Sequence, residues 1–436
     1  MANTNATQCR YVGLDVHKRE ITACFIDASG TKQKTLTFPL TRARLEAFAR
    51  VTLRDSDHVA LEATTNCWAV ADVLRPCVAR VVVSNPMATK AIAQAKVKTD
   101  KVDALVLAQL LRCDYLPDVW HPDDETRRMR QLSGRRAALV QQRTAVRNRI
   151  HSVLAMRLIE TPDTLFGKEG QQWLQDQLAS GKLDAEAVLL ITSDLALLEA
   201  FGKQIEVLDQ RLVEHAWQDQ RVRLLITLPG VDVTVAEALL AALGDFSRFK
   251  TPEQAASYLG LVPSTRQSAA KCYHGPITKQ GNVQARWMLI QAAQHLLRHP
   301  GPLGNFFRRL KRRKNHNIAV VAAARKLVII AMHMLNNNEP YRYAQPRSTE
   351  TKLARLRVRA TGEKRRSGPA KGQKAKLPGG SRTIKSLDRI YADEAVPPRQ
   401  KLSEGETRML EEKECQQFAQ SIAKEQIVPR RSKQPK

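Results

Sequence analysis

The opening 120 residues carry short apolar runs broken by polar turns. "YVGLDVH" (11–17) alternates apolar and polar positions, as a half-buried strand does. "ITACFID" (21–27) and "KTLTFPL" (34–40) follow after brief turns, and the three read as a meander. A helix opened by Thr41 (41–53), a strand "HVALEA" (58–63), a helix from Asn66 to Leu74 and a strand "RVVVSN" (80–85) come next. Past Pro86 the spacing is helical, and the main helix is predicted from Asp100 to Arg112.

The predicted order β-β-β-α-β-α-β-α belongs to the α/β ribonuclease H-like (RuvC-like) fold; few other α/β folds begin with three consecutive strands. This domain is expected over 8–125. Farther on, Leu132, Leu139, Val146 and Val153 recur every seven residues, and Leu198, Phe201, Ile205, Leu208 and Leu212 form a heptad seam. These predict an antiparallel helical coiled-coil arm over 126–220, either a spacer or a dimerisation element. A further, mostly α-helical domain is expected over 221–343, with a loop-rich centre. Its start, "LPGVDVTVAEALLAALGDF", resembles a helix-hairpin-helix whose turn offers N–H groups to a DNA phosphate, or is a packing hairpin. Residues 344–436 read as a basic, flexible and largely disordered tail, with one short helix near 403–425.

Charge then narrows the partners. The chain has 70 Lys and Arg against 43 Asp and Glu, a net charge of +27 and a pI near 10.1. Such an excess points to nucleic acid first and to an anionic membrane surface second. From Arg127 to His151 there are eight arginines and no acid; Arg135, Arg136, Arg143 and Arg147 are nucleic-acid-binding candidates there. The most apolar stretch, 318–332, is interrupted by Arg325 and Lys326 and is too short to span a bilayer, so no membrane partner is expected. No signal peptide is visible, and seven cysteines without a C-x-x-C pair argue against a disulfide framework. A cytoplasmic protein is expected.

Within so basic a chain, "KVKTDKVDA" (96–104) sets Asp100 and Asp103 three positions apart at a helix start. Capping is one explanation. On the predicted fold, however, Asp15 lies in the first strand and Glu62 at the end of the fourth, its neighbour, and that helix packs across their open side. Hard oxygen ligands gathered there suit Mg²⁺, and a pair of ions can clamp both oxygens of a phosphodiester under attack.

Several stretches carry a resemblance. "GLDVHK", "ALEATTNCW", "NPMATKAIAQAKVKTDKVDA" and "GLVPSTRQSAAKCYHGPITKQGNVQARWMLIQAA" resemble the DEDD-type insertion-sequence transposases, the IS110 family of bridge-RNA-guided serine recombinases, over residues 10–340. The resemblance implies that Asp15, Glu62, Asp100 and Asp103 hold catalytic Mg²⁺. It also implies that Ser268, five residues after the proline of the "GL-P" turn, is the nucleophile. Ala269 and Thr65 stand where the family usually has glycine. From the residues alone Ser268 is one loop serine beside Ser257 and Ser264, with His274 the nearest base to consider. Arg266, Lys271, Lys279 and Arg286 are candidates to hold the scissile phosphate.

The expectation is therefore a transposase acting on donor and target DNA by Mg²⁺-assisted serine attack. The family further implies a structured non-coding guide RNA and a homodimer or homotetramer. Two rivals stand beside it: a ribonuclease H-like Holliday-junction resolvase using water, and a non-enzymatic nucleic-acid-binding protein.

Overall fold

The computed structural model describes residues 9–92, 99–268, 271–364 and 381–429. The chain divides into two compact units, Met1–Pro122 and Asp123–Lys436.

The first unit holds β1 (Tyr11–Val16), β2 (Glu20–Ile26), β3 (Lys32–Pro39), α1 (Arg42–Val51), β4 (His58–Glu62), α2 (Cys67–Leu74), β5 (Arg80–Ser84), α3 (Pro86–Ile92) and α4 (Asp100–Arg112). Its sheet has the order β3-β2-β1-β4-β5. The meander β1-β2-β3 is antiparallel, whereas β4 and β5 add in parallel beside β1. A mixed sheet of this order is ribonuclease H-like. Alternation along β1 divides the unit into two layers. Val12, Leu14 and Val16 enter a core with Leu45 and Phe48 of α1 and Val70 and Leu74 of α2. On the other face Tyr11 packs with Leu107 and Leu111 of α4. Gly13 shares that face, and a Cβ there would lie 1.9 Å from the Ala104 carbonyl oxygen. Only a bare backbone lets α4 lie so close to the strand. The exposed outer strand β3 bears Lys32 and Lys34, charges that discourage pairing with another sheet.

The second unit opens with two long helices, α5 (Asp124–Ala155) and α7 (Ala185–Gln218), with α6 (Lys168–Ala179) between them. Asp123 and Asp184 cap α5 and α7. The pairs Arg157–Asp184 (2.6 Å), Arg149–Asp194 (2.5 Å) and Arg136–Asp209 show the two helices running antiparallel. Leu174 of α6 joins Ile150, Leu154, Leu165 and Ile191 in a small core at the far end of the pair.

Next come α8 (Gln220–Leu225), α9 (Val233–Leu243), α10 (Pro252–Tyr258), the hairpin β6 (Pro263–Ser268) and β7 (Lys271–Ile277), α11 (Val283–Gln294), α12 (Pro302–Arg313) and α13 (His316–Asn337). At 22 residues α13 is longer than its most apolar stretch and has the length and composition to cross a membrane. Ten of its residues, Ala319 through Leu335, are instead buried in the protein's main core, as in the central helix of a globular unit.

The Pro-Gly turn before α9 is a packing element. Gly230 has φ +77°, and a Cβ there would meet the Ala292 carbonyl oxygen of α11 at 2.2 Å. Lys352 donates to the Leu228 carbonyl (2.6 Å) and the Val231 carbonyl (3.0 Å) of the same turn, and burial pushes its pKa down to about 8. These contacts commit the turn's carbonyls and Gly230 to packing, which favours the packing hairpin of the two readings.

The expectation of a largely disordered tail over 344–436 is corrected for the described residues. Here lie α14 (Pro346–Thr361), β8 (Ser381–Ile384), α15 (Leu387–Asp393), α16 (Glu404–Glu412), α17 (Gln416–Ala423) and β9 (Gln426–Pro429). Leu353, Leu356, Leu387, Tyr391, Leu410 and Ile422 enter the main core. Arg357 and Glu394 form a buried ion pair. The Tyr391 hydroxyl, fully buried, donates to the Tyr341 carbonyl at 2.8 Å. The most basic, Gly- and Pro-rich stretch, 365–380, lies outside the described residues. Two consequences can be measured. Tyr391→Ala should cost about 3–5 kcal/mol in denaturant unfolding, as deletion of a buried aromatic side chain usually does. Truncation after Tyr343 should lower the melting temperature markedly, because it uncovers the core that α14 and α15 close; an unchanged melt would mean that this segment merely rests on the surface.

Candidate active site

The acids gather at one edge of the first unit's sheet. The parallel register of β1 and β4 runs to Leu14↔Leu61, so Asp15 and Glu62 follow at the carboxyl ends of neighbouring strands. Ligand sites in open α/β sheets collect outside such ends. The close passage of α4 over Gly13 brings its first turn to the same place. One ligand atom each of Asp15, His17 and Asp100 lies within 4.8 Å of the others. His17 Nε2 stands 3.2 Å from Asp15 Oδ2 and 3.4 Å from Asp100 Oδ1. Asp103 and Glu62 are half-buried, the first one helical turn along α4 and the second at the end of β4.

Neither aspartate of α4 is its capping residue, although both lie in the first turn, where the helix dipole favours acids. The N-cap of α4 is Thr99, whose hydroxyl accepts from the Val102 N–H. Burial pushes the Asp15 carboxyl above its ordinary range; His17 opposes this, while Asp100 and Asp103 add to it. Asp15 and Asp100 in turn raise the His17 imidazole despite some burial. Carboxylates held together against their own repulsion are a donor set that a divalent cation relieves, and oxygen donors of this kind suit a hard ion. The sequence did not single out His17, although its i+2 spacing from Asp15 along a strand puts both on one face.

Ser268 is the last residue of β6 and is exposed. Cross-strand partners share a face, and successive pairs alternate. From the pairs Arg266↔Tyr273 and Ser268↔Lys271, those four side chains stand together on one face of the hairpin. Thr265, Gln267, Cys272 and His274 occupy the other. There the Thr265 hydroxyl is 3.1 Å from His274 Nδ1. His274 is thus turned away from Ser268 and is not placed to act as its base. Ala269 lies outside the described residues, and Thr65 is exposed in the turn after β4.

Comparison with known proteins bears on both regions. Residues 12–157 match the DEDD-type IS110 transposase model, and residues 222–308 match the model described as the transposase IS116/IS110/IS902 family. The chain belongs to the IS110 family of transposases. This is a family of DNA-processing enzymes, and its DEDD domain suggests the use of a divalent metal. Among relatives, a putative transposase of Sinorhizobium fredii is 31% identical over 210 residues, covering 48% of this chain and 50% of its own length. The IS110-family chain thus spans about half of that relative. The transposase for insertion sequence element IS1111A of Coxiella burnetii is 29% identical over 56% of this chain and 68% of its own length. The pilin gene-inverting protein of Moraxella bovis is 26% identical over 76% of this chain and 97% of its own length.

The basic candidates of this IS110-family chain divide by environment. Arg266, Lys271 and Lys279 are exposed on or just after the hairpin, and Arg135 is exposed on α5. Arg286 is buried and donates to the Leu259 carbonyl (3.0 Å) and the Gln280 carbonyl (3.1 Å), so its expected phosphate role is corrected to a structural one. Arg136 is likewise engaged by Asp209 of α7. Arg147 lies 5.0 Å from the centre of the Phe166 ring, and burial with Arg147 and Arg136 nearby lowers the Arg143 guanidinium.

The acidic cluster makes a measurable demand. Mg²⁺ should raise the melting temperature of the wild-type chain, by up to about 2.7 kcal/mol of stabilisation at a hundredfold excess over its dissociation constant. Asp15→Asn should lose this response. Gly13→Val should lose it too, since the new side chain pushes α4 off the strand at a cost of about 1–3 kcal/mol. Equal Mg²⁺ responses in all three proteins would remove the cluster as a cation site.

Proposed function

We propose that this chain cleaves and rejoins DNA for an insertion sequence, with Ser268 as the attacking group and Asp15, Glu62, Asp100 and Asp103 as the residues that hold Mg²⁺. The observation that carries the reading is the face of the β6–β7 hairpin. It presents an exposed serine together with Arg266 and Lys271, and its one histidine faces away. A hydroxyl beside two cations is suited to a phosphodiester, whose non-bridging oxygens the cations hold and whose phosphorus the hydroxyl approaches.

In the first step the Ser268 Oγ bonds to phosphorus and gives up its proton. One ester oxygen of the DNA departs with the bonding electrons and takes a proton, leaving a strand joined to the serine by a phosphodiester. Attack by a hydroxyl of a second DNA end reverses the exchange, frees Ser268 and joins the new strand. Bound Mg²⁺ supplies positive charge that lowers the pKa of a hydroxyl and offsets charge on the phosphate. Around it the acids contribute fixed oxygen donors, and Gly13 contributes the close helix that keeps two of them there.

Target choice is assigned to a structured guide RNA. The support is a strongly basic surface combined with the lack of any zinc-finger-like base-reading pattern in the sequence. A homodimer or homotetramer follows from the chemistry, because exchanging two strands takes more than one serine.

The test is a denaturing gel of full-length protein with labelled donor DNA. A covalent adduct should form, vanish in Ser268→Ala and persist in Ser264→Ala, while Asp103→Ala loses cleavage altogether. Cleavage without an adduct, undiminished in Ser268→Ala, would assign the chemistry to water and the protein to the nuclease class.

A further inference from the structure

The second unit carries a dense positive surface that the cleavage chemistry does not use. The segment "RRLKRRKNHN" (308–317) holds six Lys or Arg and no acid. It forms the end of α12 and the bend into α13. Lys311, Arg312, Arg313 and Lys314 are all exposed, as are Asn315, His316 and Asn317. Arg308 is different: it donates to the Leu297 carbonyl (3.0 Å) and the His299 carbonyl (2.8 Å) and so anchors the helix.

A helix dipole accounts for one or two cations at a C-terminus, not for four in succession past the last apolar position. Their mutual repulsion raises the energy of the isolated protein, and a bound polyanion relieves it. The positive surface also continues. Arg309, one turn before Arg313, lines a groove of about 550 Å³ with Lys326, His333 and Lys413. The acids in that groove, Glu339 and Glu406, are both engaged by Arg342, so they do not cancel its charge.

We propose that the bend between α12 and α13 is a second nucleic-acid site, which grips the phosphate backbone of duplex DNA away from the cleavage hairpin. Duplex rather than single-stranded nucleic acid fits because 308–317 contains no Phe, Tyr or Trp on which a splayed base could stack, and its one imidazole, His316, packs edge-on against the Phe307 ring at 5.9 Å. Lysine and arginine on a convex helix end meet phosphates without reading bases, so this binding is blind to sequence and steeply salt-dependent. Such a site holds the DNA flanking the reacting phosphate.

The experiment measures binding of full-length protein to a fluorescent 20-base-pair duplex of arbitrary sequence across a salt series. Lys311, Arg312, Arg313 and Lys314 are changed together to Gln. The control changes Arg42, Arg44, Arg50 and Arg54 to Gln, four cations exposed on and after α1. The bend variant should bind the duplex at least about tenfold more weakly at low salt, with a log–log salt slope shallower by about 0.9 for each phosphate that is no longer neutralised. The control should change far less. Equal losses in both proteins would reduce the effect to overall charge and overturn the proposal. Loss of binding to a structured RNA hairpin with duplex binding intact would overturn it as well and give the surface to RNA. If the quadruple variant melts early, the double variants Lys311/Arg312→Gln and Arg313/Lys314→Gln carry the same comparison. Cleavage is not measured, so failure here leaves the role of Ser268 untouched.

Discussion

The passage of α4 across β1 at Gly13 is the contact on which the first unit's chemistry depends. A Cβ at that position would sit 1.9 Å from Ala104 O and 2.7 Å from Ala108 N, both main-chain atoms that cannot swing aside. With no side chain in the way, the helix lies against the strand and its first turn reaches the carboxyl ends of β1 and β4, where Asp15 and Glu62 lie. Helix propensity, the Thr99 cap and the buried stripe Ala104, Leu107, Ala108 and Leu111 all act toward the same seating. Acids held as close together as Asp15 and Asp100 are unfavourable in themselves. The raised Asp15 and the imidazole of His17 between Asp15 and Asp100 show how the fold bears that cost.

The second unit is ordered by a comparable device. The Pro-Gly turn before α9 closes on α11 through Gly230, and Lys352 of α14 satisfies two of its carbonyls. The chain's C-terminal part is therefore a structural component of the unit. Its cations belong partly to the interior: Lys352 and Arg357 hold backbone and carboxylate partners and are lost to any counterion exchange with nucleic acid. Exposed cations remain at the bend between α12 and α13 and on one face of the β6–β7 hairpin.

Much of the first unit was legible because alternation along a strand and helical spacing report burial directly. Gly13 and Asp15 on one face and Val12 and Leu14 on the other follow from the period alone. His17 was hidden only because a histidine beside a turn has many uses. The arginines were harder. Nothing in the sequence distinguishes Arg286, which is buried on two main-chain carbonyls, from the exposed Arg266, because the partners are backbone atoms supplied by folding. The tail misled for a related reason: Leu353, Leu356 and Tyr391 are sparse among lysines and arginines, and average composition outweighed the few positions that reach the core. The Pro-Gly turn left two readings open, since the lysine that bonds its carbonyls lies more than a hundred residues downstream.

Everything said of the first unit's chemistry requires that α4 and the edge of β1 and β4 assemble one divalent-cation site. Anomalous diffraction from crystals of the full chain soaked in Mn²⁺, which replaces Mg²⁺ on oxygen ligands and scatters strongly, reads that site directly. An anomalous peak should appear bounded by carboxylate oxygens of Asp15 and of the first turn of α4, and be absent from crystals of Asp15→Asn. Mn²⁺ bound elsewhere, with no peak at this edge of the sheet, would contradict the assignment.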